Sequence, residues 1–159
     1  MFYVALENIR SLYNVGAIFR TCSFFGWNNV ILVGYSGKHT LPGGKTILHP
    51  KLAKTELGSK NDLNITFLKT ATELVKFAKA HKCDLVAVEQ TKAAKILEIW
   101  QPPKDVILVF GNEVDGISKY ILENANQIVE IKRVGTHNSL NVATSVGIVL
   151  YHSGALVKR

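Results

Sequence analysis

Cysteine is nearly absent: the 159 residues hold only Cys22 and Cys83, in separate apolar contexts and without CxxC spacing. A disulfide framework is excluded, and the pair reads as reduced core thiols, with the cytoplasm as the expected location. Proline is also scarce, and Pro42, Pro50, Pro102 and Pro103 all fall in polar connections. With no Pro/Ser-rich linker, internal repeat or low-complexity tract, one continuous domain over residues 1–159 is the simplest expectation. Long apolar runs are missing too. The most apolar stretch, residues 142–157, is interrupted by Thr144, Ser145, His152 and Ser153, and it falls short of the roughly 20 residues that span a bilayer. The first residues run straight into Glu7 and Arg10, so no secretory signal is read there. Acidic residues are outnumbered, 12 against 19 Lys and Arg, leaving a formal charge of +7. That balance makes a polyanion a candidate partner, although many basic proteins bind none.

What remains is apolar enough to fold. Hydrophobic residues make up 47% of the chain and charged ones 19%, which excludes a disordered polymer. Short β-rich apolar runs recur at residues 2–6, 30–33, 65–68, 85–88, 106–110 and 128–131. Helical spacing appears between several of them, at residues 15–25, where Gly26 is the stop, 71–81 and 140–157. The alternation predicts an α/β fold with a mainly parallel sheet flanked by helices. Ligands of such sheets bind beyond the carboxyl ends of the strands, so residues 7–14, 110–116 and 132–141 draw attention.

In the first of these segments, Asn14 reads either as a helix N-cap or as a functional amide. On the bland reading Gly16 allows close packing and Arg20 is a solvated surface residue; on the other, Asn14 and Arg20 converge on one phosphate or ribose. The second is a buried strand that breaks into a loop with Gly111, Gly116, Glu113 and Asp115. Its glycines permit positive φ or a close backbone approach. Two carboxylates without a nearby His or third carboxylate make no metal site, so no metal is expected. The third is a polar loop in which Ser139 is the natural cap of the terminal helix. Ser139 and Asn141 either cap alone or serve chemistry, and His137 reads as a loop histidine rather than a base. A G-x-S-x-G elbow, a P-loop and a G-x-G-x-x-G fingerprint are all missing.

Taken in order, Asn14-x-Gly16-x-x-x-Arg20, Phe110-Gly111-Asn112-Glu113 with Gly116, and Ile131, Gly135 and Ser139-Leu140-Asn141-Val142 resemble three motifs of one family. It is the SpoU/TrmH branch of the SPOUT methyltransferases, and the likeness spans the whole chain; residues 49–58 also resemble a family segment that follows the second strand. The resemblance implies a parallel sheet whose C-terminal part threads into a deep trefoil knot, against generic topology rules. It implies S-adenosylmethionine as cofactor, with Gly111, Ile131, Leu140 and, less directly, Glu89 as contacts. The reaction implied is 2′-O-methylation of ribose in tRNA or rRNA, with Arg20, Asn14, Glu113, Ser139 and Asn141 as the catalytic set. A homodimer joined through the first and last helices is implied as well, with no membrane and no DNA as partners. In the last helix Ala143, Gly147 and Gly154 form a narrow stripe that either meets a second backbone or packs inside the monomer.

Two departures from the family pattern stand out. Lys132-Arg133 occupies the place where relatives often have Pro-Met, removing a rigid proline and adding two charges beside the expected cofactor. Many relatives carry an extra N-terminal RNA-binding domain, which is not expected here. RNA would then be held by Arg10, Lys38, Lys45, Lys51 and Lys54, which are solvated rim residues singly and phosphate-positioning groups collectively. Two alternatives stay open: a non-catalytic RNA-binding protein on the same fold, and a flavodoxin-like nucleotide-binding module.

Overall fold

The fold is seen in a computed structural model that describes residues 1–157, with side chains through Gly154. Its strands are β1 (Phe2–Glu7), β2 (Asn29–Val33), β3 (Lys38–Thr40), β4 (Thr46–Leu48), β5 (Asn64–Leu68), β6 (Asp84–Val88), β7 (Lys95–Ile96), β8 (Val106–Phe110) and β9 (Gln127–Glu130). The helices are α1 (Leu12–Phe25), α2 (Ala53–Glu56), α3 (Ala71–Ala80), α4 (Lys119–Asn124) and α5 (Val142–Val157). Seven strands form one sheet in the order β5-β2-β1-β8-β6-β9-β7, and every pairing in it is parallel. Strands β3 and β4 make a separate antiparallel hairpin. The expected α/β class and mainly parallel sheet are therefore present.

Parallel sheets are covered on both faces, so their central strands carry uninterrupted apolar sequence. All of β8, Val-Ile-Leu-Val-Phe, is buried. Side chains alternate across it. Val4, Leu6, Val106, Leu108 and Phe110 meet Ile18, Phe19 and Cys22 of α1 and Val146, Val149 and Leu150 of α5 on one face. Tyr3, Ala5, Ile107 and Val109 meet Leu74, Val75 and Ala78 of α3 and Ile121 of α4 on the other. Both cysteines are free and buried, and desolvation pushes the Cys22 thiol up to about 12. Among the described residues no helix is long and apolar enough to cross a membrane.

Helix boundaries differ from the expected ones, each for a local reason. Helix α1 starts at Leu12 because the Ser11 hydroxyl accepts from the Asn14 N–H at 3.2 Å; Ser11 is the cap and Asn14 lies inside the first turn. Gly26, at φ 74°, stops α1 in the left-handed region as expected. Helix α5 starts at Val142, two residues later than expected. Asn141 rather than Ser139 caps it, its Oδ1 accepting from the Ala143 N–H at 2.9 Å and the Thr144 N–H at 3.3 Å. Gly16 does allow close packing: a Cβ there would lie 2.0 Å from Thr55 Oγ1, where α2 rests on α1. The stripe on α5 is divided, since Ala143 packs on the core and a Cβ on Gly147 would touch Thr21 of α1. Among the described side chains of α5, the exposed large apolar ones are instead Ile148 and Tyr151.

Candidate active site

Strands β1, β6, β8 and β9 are parallel neighbours, so their carboxyl ends deliver four loops to one edge of the sheet. There the backbone turns on three glued contacts. Asn112 and Gly116 exchange backbone hydrogen bonds at 3.0 Å in both directions, closing the loop after β8. A Cβ on Gly111 would sit 2.3 Å from the Gly116 carbonyl carbon and the Ile117 nitrogen, so the two limbs of that loop touch backbone to backbone. Gly116, at φ 70°, is also covered: a Cβ there would fall 2.5 Å from Glu89 Oε2.

Glu89, at the end of β6, holds this loop from outside. Its Oε2 accepts from the Ile117 N–H at 3.0 Å and its Oε1 from the Gln90 N–H at 2.9 Å. Asn112 holds it from the opposite side and satisfies its whole amide. Its Nδ2 donates to the Asn8 carbonyl at 2.7 Å and to the Tyr35 hydroxyl at 2.8 Å. Its Oδ1 accepts from the Val114 and Asp115 N–H groups at 2.8 and 3.0 Å. The sequence reading singled out neither Asn112 as a functional residue nor Tyr35. The signal for the first was an Asn beside Gly after a buried strand, the usual setting of an Asx turn.

Glu113 links this loop to α1. Its Oε2 accepts from the Arg10 N–H at 3.0 Å, and its Oε1 accepts from the Ser11 N–H at 3.2 Å and from Asn14 Nδ2 at 2.9 Å. A carboxylate bound at the cap and the residue before it lies beside the positive end of the α1 dipole, the favourable polarity for both. Desolvation pushes the Glu113 carboxyl up, but the Arg10 and Ser11 N–H groups and the Asn14 amide outweigh it and hold the group below its ordinary value.

Amide orientation then follows by elimination. An ionised carboxylate only accepts, so Asn14 must turn its NH2 to Glu113 and its Oδ1 away. That Oδ1 accepts from Asn141 Nδ2 at 3.2 Å, and Asn141 Oδ1 faces the N–H groups that begin α5. Glu113, Asn14 and Asn141 thus form one directional chain from the β8 loop through α1 to α5.

Beside this chain lies a cleft of about 860 Å³, within the range of roughly 300–1,000 Å³ usual for small-molecule sites. Glu89, Gly111, Glu113, Ile131, Ser139, Leu140 and Asn141 all line it, as do Lys132 and Arg133. Ser139 is exposed, with its carbonyl 3.0 Å from the His137 ring. Arg133 donates to Asn138 Oδ1 at 3.2 Å, bracing the loop that follows β9. Among the described residues, no group of three or more His, Cys, Asp and Glu stands close enough to hold a metal ion.

Other expected site residues are not brought together with the cleft. Arg20 is exposed on α1, and it takes part in none of the four ion pairs among the described residues. Six residues along a helix amount to about 9 Å of rise and about 120° of rotation, so Arg20 and Asn14 do not converge within one chain. Lys38 is committed elsewhere: its ammonium donates to the Leu68 carbonyl and lies 5.8 Å from the Phe67 ring centre. Burial lowers its pKa, with Glu73 opposing; it clips the hairpin to β5 rather than offering a free phosphate contact. Arg10 is exposed and pairs loosely with Asp115 at 3.8 Å, while Lys45, Lys51 and Lys54 are exposed.

The model of the SpoU rRNA Methylase family matches residues 1–151. A tRNA (guanosine(18)-2′-O)-methyltransferase of Borreliella burgdorferi is 28% identical over 146 residues, covering 92% of this chain and 62% of that protein. The chain thus spans less than two thirds of that relative's length. A solved structure of an A. aeolicus TrmH/SpoU tRNA modifying enzyme superposes with a TM-score of 0.82 at 25% identity, covering 99% of this chain and 75% of the other. An AdoMet-bound rRNA methyltransferase from Sinorhizobium meliloti superposes at 0.81 with 26% identity, covering 95% and 54%.

Proposed function

The chain belongs to the SpoU rRNA Methylase family, and on that premise we propose that it transfers a methyl group from S-adenosylmethionine to a ribose 2′-hydroxyl of tRNA or rRNA. The observation that carries this reading is the chain Glu113–Asn14–Asn141 at the margin of the cleft. It joins an oriented polar surface to a concave site lined by Gly111, Ile131 and Leu140. Those three residues would hold the cofactor, with Glu89 shaping the loop beneath it through the Ile117 N–H. The residues fit such a ligand: the cleft offers backbone amides and carbonyls together with the apolar Val88, Ile131, Leu140 and Val142. Bound there, the cofactor supplies an electrophilic methyl group on a sulfonium.

The remaining steps belong to the chain's own groups. Asn14 is fixed by two partners and orients the ribose, Glu113 fixes that orientation, and Ser139 and Asn141 shape the mouth of the cleft. Arg20 acts from a second copy of the chain. Tyr13, Arg20 and Phe24 share one exposed stripe of α1, with Phe24 83% exposed. Tyr151 of α5, 68% exposed, extends that apolar surface through its contact with Phe25. Covering this surface with a second copy carries each Arg20 toward the partner's cleft. A guanidinium, a planar cation that donates and does not accept, serves there as a clamp on the adjacent phosphate and aims the 2′-oxygen by orientation, while the hydroxyl proton passes to water rather than to Arg20. Arg10, Lys45, Lys51 and Lys54 supply sequence-independent contacts to the RNA backbone. The trefoil knot of the C-terminal part belongs to the same proposal.

The test is incubation of the protein with total RNA and S-adenosylmethionine, followed by nucleoside mass spectrometry. A rise in one 2′-O-methylnucleoside is expected. RNA binding without any such rise would leave the non-catalytic alternative in its place.

A further inference from the structure

Tyr35, in the turn after β2, is half exposed, yet its hydroxyl accepts from the part-buried Asn112 amide at 2.8 Å. With the polar end anchored, the ring supplies the exposed surface. Among the described residues it stacks on no other aromatic side chain. The amide that anchors it is itself held on several sides. The Asn112 amide also binds the Asn8 carbonyl and the N–H groups of Val114 and Asp115. The network that shapes the Glu113 loop therefore also fixes the ring.

Arg10 belongs to the same loop cluster: its backbone N–H donates to Glu113 at 3.0 Å, and its exposed guanidinium stands 3.8 Å from Asp115, whose N–H is held by Asn112. A fixed aromatic face paired with a cation is the combination that holds single-stranded nucleic acid, one stacking a base and the other attracting its phosphate. Tyr35 does not line the cleft itself. Its partner Asn112 does line the cleft and adjoins Glu113, so the ring stands next to the polar side of the site.

Resting on the function proposed above, we infer that Tyr35 is a stacking platform for a base of the substrate RNA, next to the nucleotide whose ribose enters the site. Such stacking is sequence-tolerant, because every base presents a π-face. It therefore orients the substrate and does not select it.

The experiment compares Tyr35→Leu, which removes the ring, with Tyr35→Phe, which keeps it and loses only the hydroxyl. Binding to bulk tRNA and bulk rRNA is read by filter retention, cofactor affinity by calorimetry, and mass by light scattering. Tyr35→Leu should bind its RNA about tenfold more weakly, with cofactor affinity and mass unchanged, while Tyr35→Phe, which keeps the stacking face and loses only its anchor on Asn112, should show a clearly smaller loss. Equal RNA binding by Tyr35→Leu would overturn the inference alone. So would a loss in Tyr35→Phe as large as in Tyr35→Leu, since the hydroxyl network and not the ring would then matter. A change of mass in Tyr35→Leu would assign the ring to contact between copies instead. If the unmodified protein retains neither RNA, the proposed function fails first, and the inference with it.

Discussion

Glu113 ties the β8 loop to the start of α1, because one carboxylate serves two N–H groups and one amide. Its pKa is depressed on folding. The stability it contributes is therefore fully present above its ordinary value and is lost as pH falls through the lower folded value. Glu113→Gln should lower Tm at pH 7 by about 2–4 °C, the effect of losing roughly one net hydrogen bond in a domain of this size. The difference from the unmodified protein should shrink as pH falls below the ordinary glutamate value of about 4.3 toward the lower folded one. A Tm gap that stayed constant from pH 7 to pH 3 would detach Glu113 from the acid response. Gly111 poses a steric question instead. A side chain there meets the backbone of Gly116 and Ile117 before it meets any ligand, so Gly111→Ala should cost about 1–3 kcal/mol and weaken cofactor binding by displacing the loop. An unchanged Tm together with unchanged cofactor affinity would contradict this.

Elements are positioned by their caps. Asn141 both begins α5 and receives Asn14, so Asn141→Ala removes a helix cap and loosens the amide that faces the cleft. The expected loss is about 1 kcal/mol. Ser139→Ala should change stability by less than about 0.5 kcal/mol, because Ser139 is exposed and lies outside the helix. Chemical denaturation of both variants checks this, and the reverse ranking would return the cap to Ser139. The mistaken cap has a plain cause. Ser and Asn are near-equal N-caps, both precede the apolar stretch, and only the backbone path decides which one faces the first N–H groups.

At the scale of the molecule, the cleft and Arg20 lie apart in one chain, and the proposed second copy joins them. This makes the assembly testable without a structure of it. Arg20→Ala and Asn141→Ala should each transfer methyl groups poorly when alone. If Arg20 works in the partner's cleft, mixed and re-equilibrated protein should recover up to about a quarter of full activity, since half of the subunit pairs then hold one intact site of two. No recovery despite confirmed subunit exchange would place Arg20 within its own chain.

The sequence by itself determined the elements and their faces. Strands at residues 2–6, 30–33, 65–68, 85–88, 106–110 and 128–131 each appear within one residue or so of their expected bounds, because buried parallel strands need continuous apolar runs. The loops at the strand ends, the class of fold and the family were legible for the same local reason. Short elements such as α2, α4, β7 and the hairpin β3–β4 carried too few residues for a period to show. Strand order could not be read either: β8 lies between β1 and β6, a choice made by packing among strands of similar composition. Tertiary structure alone brought Asn14 to Glu113 across 99 residues and to Asn141 across 127. It also committed Lys38 to Leu68, left Arg20 outside the lining of the cleft, and joined Tyr35 to Asn112, which lines it. Periodicity records which face of an element is buried, but side-chain partners distant in sequence are fixed only when the whole core closes.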